Sequence, residues 1–429
     1  MEDEILKPNL RFPEFNEDWI PTTFDSHFSF KNTNSLSREN LNYINGVVMN
    51  IHYGDIHTSF KLLFDVTKEK VPYVNPEVNI SNINEENYVL DGDLIIADAS
   101  ENYADIGKTI EVINTNNERI LSGLHTFLAR KEDKTLANGF FGFLLTTYKA
   151  RFEIMKIAQG TKVLGISKNR LDKIPLYIPK PEEQKKIADF ITAIDVRINL
   201  LKIKKTALED YKKSIMQKLF SRELRFKEED GSDFPEWRYE VLGEIGEPLN
   251  GLTGKTKVDF GEGKPYIQYM QIFKDSKINP DDFGFVRIGQ EENQTTIQFG
   301  DVLFTTSSET PQEVGISSVM LDDIEEVYLN SFSFGFRPNS LDVLVPEFSQ
   351  FLFRSSSLRK QIIKLAQGST RYNMSKVSFM KERILIPEKN EQIKISKFLS
   401  KIDKKINSHL VQIQDSELFK KSLLQKLFI

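Results

Sequence analysis

The chain has 429 residues, too many for one hydrophobic core, so two or three domains are expected. It has no cysteine, which excludes disulfides and thiolate metal sites, and its net charge of −5 argues against a protein that coats nucleic acid unselectively. The acidic start Met1-Glu2-Asp3-Glu4 lacks a following apolar core, and the longest apolar stretch, near Gly139 to Leu145, is far too short to span a bilayer. Neither a signal peptide nor a membrane span is expected, and a cytoplasmic location follows.

In chain order, a Phe12-Pro13-Glu14 turn near Trp19 opens a series of short β-rich runs. His52-Tyr53-Gly54-Asp55-Ile56-His57 looks like a metal cluster, but in a strand His52 would point away from both Asp55 and His57. Gly92-Asp93-Leu94-Ile95-Ile96 reads as a turn leading into a buried strand. From Lys149 to Lys173, seven Lys or Arg stand against Glu153 and Asp172, around the turn Ala158-Gln159-Gly160-Thr161. A strand ending in Ile178-Pro179 then leads into Pro181-Glu182-Glu183, a good first helical turn whose acids suit the helix dipole. Glu182 to Phe220 contains no glycine or proline, and Ile187, Ile191, Ile194, Ile198 and Leu201 follow the a/d spacing of a coiled-coil seam. At ~1.5 Å per residue such a helix is close to 60 Å long.

From Phe234-Pro235-Glu236-Trp237 the series runs again. Ala158-Gln159-Gly160-Thr161 recurs 208 residues later as Ala366-Gln367-Gly368-Ser369. The same offset carries Gly92-Asp93 onto Gly300-Asp301, Glu183-Gln184 onto Glu391-Gln392, and Gln217-Lys218-Leu219-Phe220 onto Gln425-Lys426-Leu427-Phe428. Ile51-His52-Tyr53 matches Ile267-Gln268-Tyr269 at an offset of 216, so 8 residues are inserted or deleted between these blocks. Eight Lys or Arg stand against Glu382 alone between Arg354 and Arg383, again around the Gln-Gly turn. A charge run is ordinarily a solvated helix face; its recurrence gives anion binding equal weight. The second helix carries Ile395, Leu399, Ile402, Ile406, Ile413, Leu423 and Leu427. Two such helices most simply pack on each other, antiparallel if a two-fold relates the repeats, with a globular domain at each end. The alternative is that each packs only on its own domain.

Catalytic signatures are missing. Gly251-Leu252-Thr253-Gly254-Lys255-Thr256 imitates a phosphate-binding loop, but the glycine required earlier is Leu249. Gln268 and Gln271, at the positions of His52 and Asp55, do not bind zinc. Asp93 and Asp301 read as turn residues, and Pro280-Asp281-Asp282 with Glu291-Glu292-Asn293 lacks the lysine of a nuclease set. There is no serine elbow, Cys/His pair, Asn-Pro-Pro-aromatic tetrapeptide or glycine-rich S-adenosylmethionine loop. The chain reads as one that binds and does not catalyse, with no metal or cofactor of its own.

The candidate target-contacting residues lie in polar segments of the two repeats, and each of them reads equally as part of an ordinary polar hairpin loop. In the first they are Asn50, His52, Asp55, His57, Ser100, Asn102, Lys108, Thr161 and Lys162. In the second they are Lys255, Lys257, Gln268, Gln271, Ser307, Ser308, Thr310, Ser369, Thr370, Arg371, Tyr372 and Asn373. Hydroxyls, cations and amides bond phosphates and base edges, and Arg371 can grip guanine bidentately.

The duplicated set Gly160-Thr161, Ile178-Pro179, Glu183-Gln184, Ile187 to Asp195 and Gly368-Ser369, Ile386-Pro387, Glu391-Gln392, Ile395 to Asp403 resembles the specificity (S) subunits of type I restriction–modification enzymes. The Leu-Arg-Phe stretches at Leu10 and Leu224 look similar too. The resemblance implies an α+β fold with two mixed α/β target-recognition domains, 1–180 and 222–388, separated by antiparallel coiled-coil helices, 181–221 and 389–429. It implies that each domain reads one half of a bipartite site in double-stranded DNA. It also implies that the helices dock two modification (methyltransferase) subunits through Gln184, Ile187, Ile191, Ile194, Ile198, Gln392, Ile395, Leu399, Ile402 and Ile406. Restriction (translocase/endonuclease) subunits would join, and S-adenosylmethionine, ATP and Mg2+ would belong to those partners. The rival reading from the residues alone is a coiled-coil adaptor that does not touch DNA.

Overall fold

The computed structural model describes residues 7–429, so the acidic start, Met1 to Glu4, lies outside the described residues. It contains two compact units of mixed helix and sheet. One joins the described residues up to Leu201 with Val411–Ile429, and the other is Lys202–Leu410. Each long helix, Pro181–Phe220 and Lys389–Lys426, therefore contributes one part to each unit.

The central sheet of the first unit has the strand order Phe28–Lys31, Thr126–Lys131, Leu94–Ala97, Thr109–Asn114, Leu63–Asp65. That of the second has the order Gly246–Asn250, Ser333–Pro338, Val302–Thr305, Ser317–Val319. The first four strands correspond one to one. The fifth, Leu63–Asp65, runs parallel to Thr109–Asn114 and lies where the first repeat is 8 residues longer. In the second unit only a parallel bridge from Lys277 to Val319 stands there. Asp93 and Asp301 hold the entry to the central strand. Asp93 accepts from Leu90 N (2.8 Å) and Arg130 Nε (2.7 Å), and Asp301 from Gln298 N and Arg337 Nε (2.8 Å each). The glycine-Asp motif is thus a structural turn.

The most closely matching motifs explain how each long helix is seated. Glu183 stands in the first helical turn as expected, and it has a second role. It is buried, taking Arg11 Nε and Nη2 at 2.8 and 2.7 Å and facing Trp19 Nε1 at 3.4 Å. Glu391 repeats the arrangement with Arg225 Nε and Nη2 at 3.2 and 2.9 Å and Trp237 Nε1 at 3.0 Å. The Leu-Arg-Phe and tryptophan motifs exist to meet the buried Glu of Glu-Gln. The Gln beside it bonds main chain. Gln184 Nε2 donates to Pro179 O and its Oε1 accepts from Ala137 N, while Gln392 does the same with Pro387 O and Val345 N.

The helical seam does two jobs in succession. Ile187 and Ile191 are buried in the first domain's core, whereas Ile198 and Leu201 pack on Ile413 of the second helix. Asp195 pairs with Lys420 at 2.6 Å, and Leu423, Leu427 and Phe428 enter the core that holds Ile187. As one helix advances the partner residues recede, so the segments run antiparallel. In the second unit Lys212 pairs with Asp403 at 2.5 Å, and Leu219 and Phe220 share a core with Ile395, Leu399 and Ile402. Helix-on-helix and helix-on-domain packing, alternatives in the sequence, both occur.

One buried group breaks the symmetry. Glu111, whose counterpart is Val319, accepts from Gly139 N (2.5 Å) and Gly142 N (2.7 Å) at the start of helix Phe140–Thr146. Burial nevertheless pushes its carboxyl from 4.5 up to about 7. The unfolded chain ionises this group first, so its stabilising contribution is complete below pH 4.5 and is lost as pH rises to about 7. The expected decline is at most about 3 kcal/mol. Denaturant midpoints of the wild type and Glu111→Gln across pH 4 to 8 check this. The wild type should lose ground against the variant as pH rises, and parallel curves would contradict it.

Candidate nucleic-acid interface

Two segments distant in sequence, one of them a hairpin, meet in the second unit. Ser307–Ser308 pairs with Tyr372–Asn373, and Asn373–Met374 pairs with Ala366–Gln367, forming one small sheet. Its turn is fixed by Gly368, whose φ is 132° and where a Cβ would stand 2.2 Å from the Arg371 carbonyl oxygen. Only glycine fits. The turn leaves Ser369, Thr370, Arg371 and Asn373 exposed and Tyr372 half-buried. Tyr269 Oη donates to Ser307 O at 2.7 Å, tying the helix Tyr269–Lys274 to the same sheet. Burial raises the Tyr269 phenol, while the nearby Arg371 charge opposes that.

The first unit repeats the plan with different side chains. Ala99–Ser100 pairs with Leu164–Gly165, and Gly160 has φ 134°, where a Cβ would stand only 2.0 Å from Val163 O. Thr161 and Lys162 are exposed at the turn tip. Tyr53, the counterpart of Tyr269, lies among three imidazoles: His52, His57 and His125, at ring separations of 4.7, 5.6 and 5.3 Å. His125 Nδ1 lies 3.3 Å from Asp98. Burial lowers His52 and His57 from the ordinary histidine value. Burial raises Asp98, against the pull of His125.

Several candidates are corrected by this geometry. The segment from His52 is not a strand: His52 caps helix Tyr53–Thr58, its Nδ1 accepting from Gly54 N at 3.1 Å. Asn50 is buried and accepts from Asn34 Nδ2. Asp55 is buried against Arg38, and Gln271 is buried with its Nε2 on Asn279 O. Ser100, Ser307 and Ser308 are also buried, so they shape the sheet and do not present a surface. Lys255 is taken up by Glu292 at 2.5 Å, and Lys108 Nζ by the His57 carbonyl, also at 2.5 Å. His57 is half-buried, whereas Asn102, Lys257, Gln268 and Thr310 remain exposed. The docking candidates Gln184, Ile187, Ile191, Ile198, Gln392, Ile395, Leu399 and Ile402 are all buried within the chain's own units, and Ile194 and Ile406 are half-buried.

The recurring basic runs also resolve differently. Arg354, Arg359 and Arg151 do not line a solvated face. Arg354 donates to Ser317 O (2.7 Å), Ile272 O (2.9 Å) and Asp275 O (2.6 Å). Burial lowers Arg354 and Arg359 to about 10, which leaves both charged at neutral pH. In the sequence these arginines are only part of a charge count; the recurrence of Arg151 as Arg359 is the signal that sets them apart.

The family model of the type I restriction modification DNA specificity domain matches this chain twice, at residues 49–210 and 235–415. The chain belongs to that family. Among its curated relatives, the EcoKI specificity subunit of Escherichia coli (strain K12) is 21% identical over 317 residues, 70% of this chain and 66% of that protein. The MjaVIII specificity subunit of Methanocaldococcus jannaschii is 24% identical over 304 residues, 66% of this chain and 68% of that protein. The match thus spans about two thirds of the length of these relatives. The type I S subunit structure from M. genitalium superposes with a TM-score of 0.56 at 15% identity, covering 99% of both chains. A chain from a structure of type I complex assembly and conformational transition gives 0.57 at 16% identity, covering 96% of this specificity-family member and 97% of that chain. The repeat seen in the sequence is this family's domain present twice, and no helix among the described residues is long and apolar enough to cross a membrane.

Proposed function

We propose that this chain is the DNA specificity subunit of a type I restriction–modification enzyme, noncatalytic, with each unit reading one half of a bipartite site. The observation that carries this is the doubled specificity domain whose two copies each bring a glycine-pinned turn of exposed, non-matching side chains onto one sheet. Thr161 and Lys162 occupy that turn in one unit, and Ser369, Thr370 and Arg371 in the other. Shared geometry with different chemistry suits a target whose halves differ.

Partner subunits would supply S-adenosylmethionine, ATP and Mg2+ chemistry and much of the phosphate contact, since the net charge is −5. With the seam side chains buried, two modification subunits would dock on what the long helices leave outside. Exposed there are Leu200, Val411 and Phe419 in the first unit and Ile203 and Tyr211 in the second. Ile203 and Tyr211 recur 208 residues later as Val411 and Phe419, as two like partners require. Co-expression with the neighbouring genes, followed by genomic methyladenine mapping, is expected to give a split motif with a fixed gap. A methylation pattern indifferent to this chain, in a complex that assembles, would refute the reading and favour an adaptor.

A further inference from the structure

A half-buried guanidinium stands behind the same loop in each unit. Arg359, on helix Ser356–Ile363, donates from Nη1 to Gly315 O (2.5 Å) and from Nη2 to Gln312 O (2.8 Å) and Val314 O (2.7 Å). Arg151, 208 residues earlier on helix Tyr148–Ile157, donates from Nη2 to Ile106 O (2.6 Å), Ala104 O (3.2 Å) and Tyr103 O (3.4 Å). The loops held in this way follow Ser100 and Ser308, the residues paired with the strands that carry the exposed turns. Each loop ends on the arginine's own helix. Gly107 and Gly315 have φ 64° and 65°, and a Cβ at either would stand 2.5 or 2.6 Å from Ile154 or Ile362 Cγ2.

Every bond made by these guanidiniums to the loops goes to main-chain carbonyl oxygen. That anchor is indifferent to the loop's side chains, and the side chains do differ: Glu101-Asn102-Tyr103-Ala104-Asp105 against Glu309-Thr310-Pro311-Gln312-Glu313. Five fixed donors on a planar group can span several carbonyls at once, which an ammonium cannot do. Among the described residues neither guanidinium has a carboxylate bonded to it, so its donors are left to the loop.

Building on the function proposed above, we propose that Arg151 and Arg359 are positioning residues for recognition. Each fixes the backbone of one reading loop while leaving its side chains free to vary, and each controls discrimination at one half-site only. The arrangement lets new specificities arise by loop substitution without loss of loop geometry.

The test uses the full chain assembled with its modification subunits, as wild type, Arg359→Met, Arg359→Lys and Arg151→Met. Amide hydrogen exchange should rise about tenfold at Thr310–Val314 in Arg359→Met and leave Asn102–Ile106 protected, with the converse in Arg151→Met. Methyladenine mapping should show the Arg359 variants accepting single-base changes in one half-site about tenfold more often, the other half and the gap being unchanged. Arg359→Lys keeps the charge and should fold where Met does not, yet still relax discrimination. Unchanged exchange at the loop, or equal relaxation of both halves, would overturn the proposal. A wild type that writes no split motif would sink the proposed function instead, while the exchange measurement still decides whether the anchor exists.

Discussion

Arg225→Ala is expected to destabilise the second unit by about 3–5 kcal/mol, the usual cost of stranding one member of a buried ion pair. Glu391, with a side chain only 1% exposed, would keep the Trp237 indole N–H at 3.0 Å and lose both guanidinium bonds. Arg225 also holds Phe234 O and Pro235 O, at 3.1 and 2.6 Å, so the segment leading to Trp237 would loosen with it. Thermal unfolding followed by Trp237 fluorescence measures the effect, at roughly 2–4 °C per kcal/mol for a unit of this size. Adding Glu391→Leu to Arg225→Ala should recover part of the loss, because an apolar replacement removes the unpaired charge. A loss below about 1 kcal/mol would show the pair to be solvated.

Phe428→Ala should destabilise the first unit by about 3–5 kcal/mol, although residue 428 is among the last of the chain. Its ring lies 6.1 Å from Trp19 and 5.4 Å from Phe140, and it is 4% exposed. Leu10 N donates to Lys426 O at 2.8 Å, as Leu224 N does to Lys218 O at 3.1 Å in the second unit. The N-terminal Leu-Arg-Phe segment therefore meets the end of the second helix in the way its copy meets the end of the first. The chain has two tryptophans, one per unit, so a background with the other tryptophan replaced by Phe lets one unit report alone. A red shift of Trp19 emission is expected, and an unchanged Trp19 signal with unchanged stability would contradict the packing.

Much of this fold was legible in the sequence because its strongest signals are local or repeated. The helix start at Pro181, the strand ending at Ile178 and the antiparallel pairing of the long helices follow from proline chemistry, apolar period and the 208-residue offset. The purpose of the matching residues was not legible. Glu183 reads locally as a dipole partner and is also the centre of a clamp built with Arg11, 172 residues away. The alternation rule placed His52 and Asp55 in a strand, but the backbone turns into a helix there, capped by the His52 side chain. In the candidate site, the glycine turns and their exposed side chains were recognisable. Burial of Asn50, Asp55 and Gln271 was not, because it depends on partners such as Arg38 and Asn279 that no spacing announces. Glu183, Gln184 and Ile187 match Glu391, Gln392 and Ile395 and all six are buried, whereas Lys162 and Thr370, which differ at the turns, are exposed.

The central claim is that the two units read separate halves of one DNA site. Methyladenine mapping of complexes carrying Lys162→Ala or Arg371→Ala, each against wild type, tests it most directly. Both side chains are exposed on the glycine-pinned turns, one in each unit. The account predicts that each substitution alters base preference in one half of the motif, a different half for each, with the gap constant. Changes in the same half, or in both halves from either substitution, would contradict it.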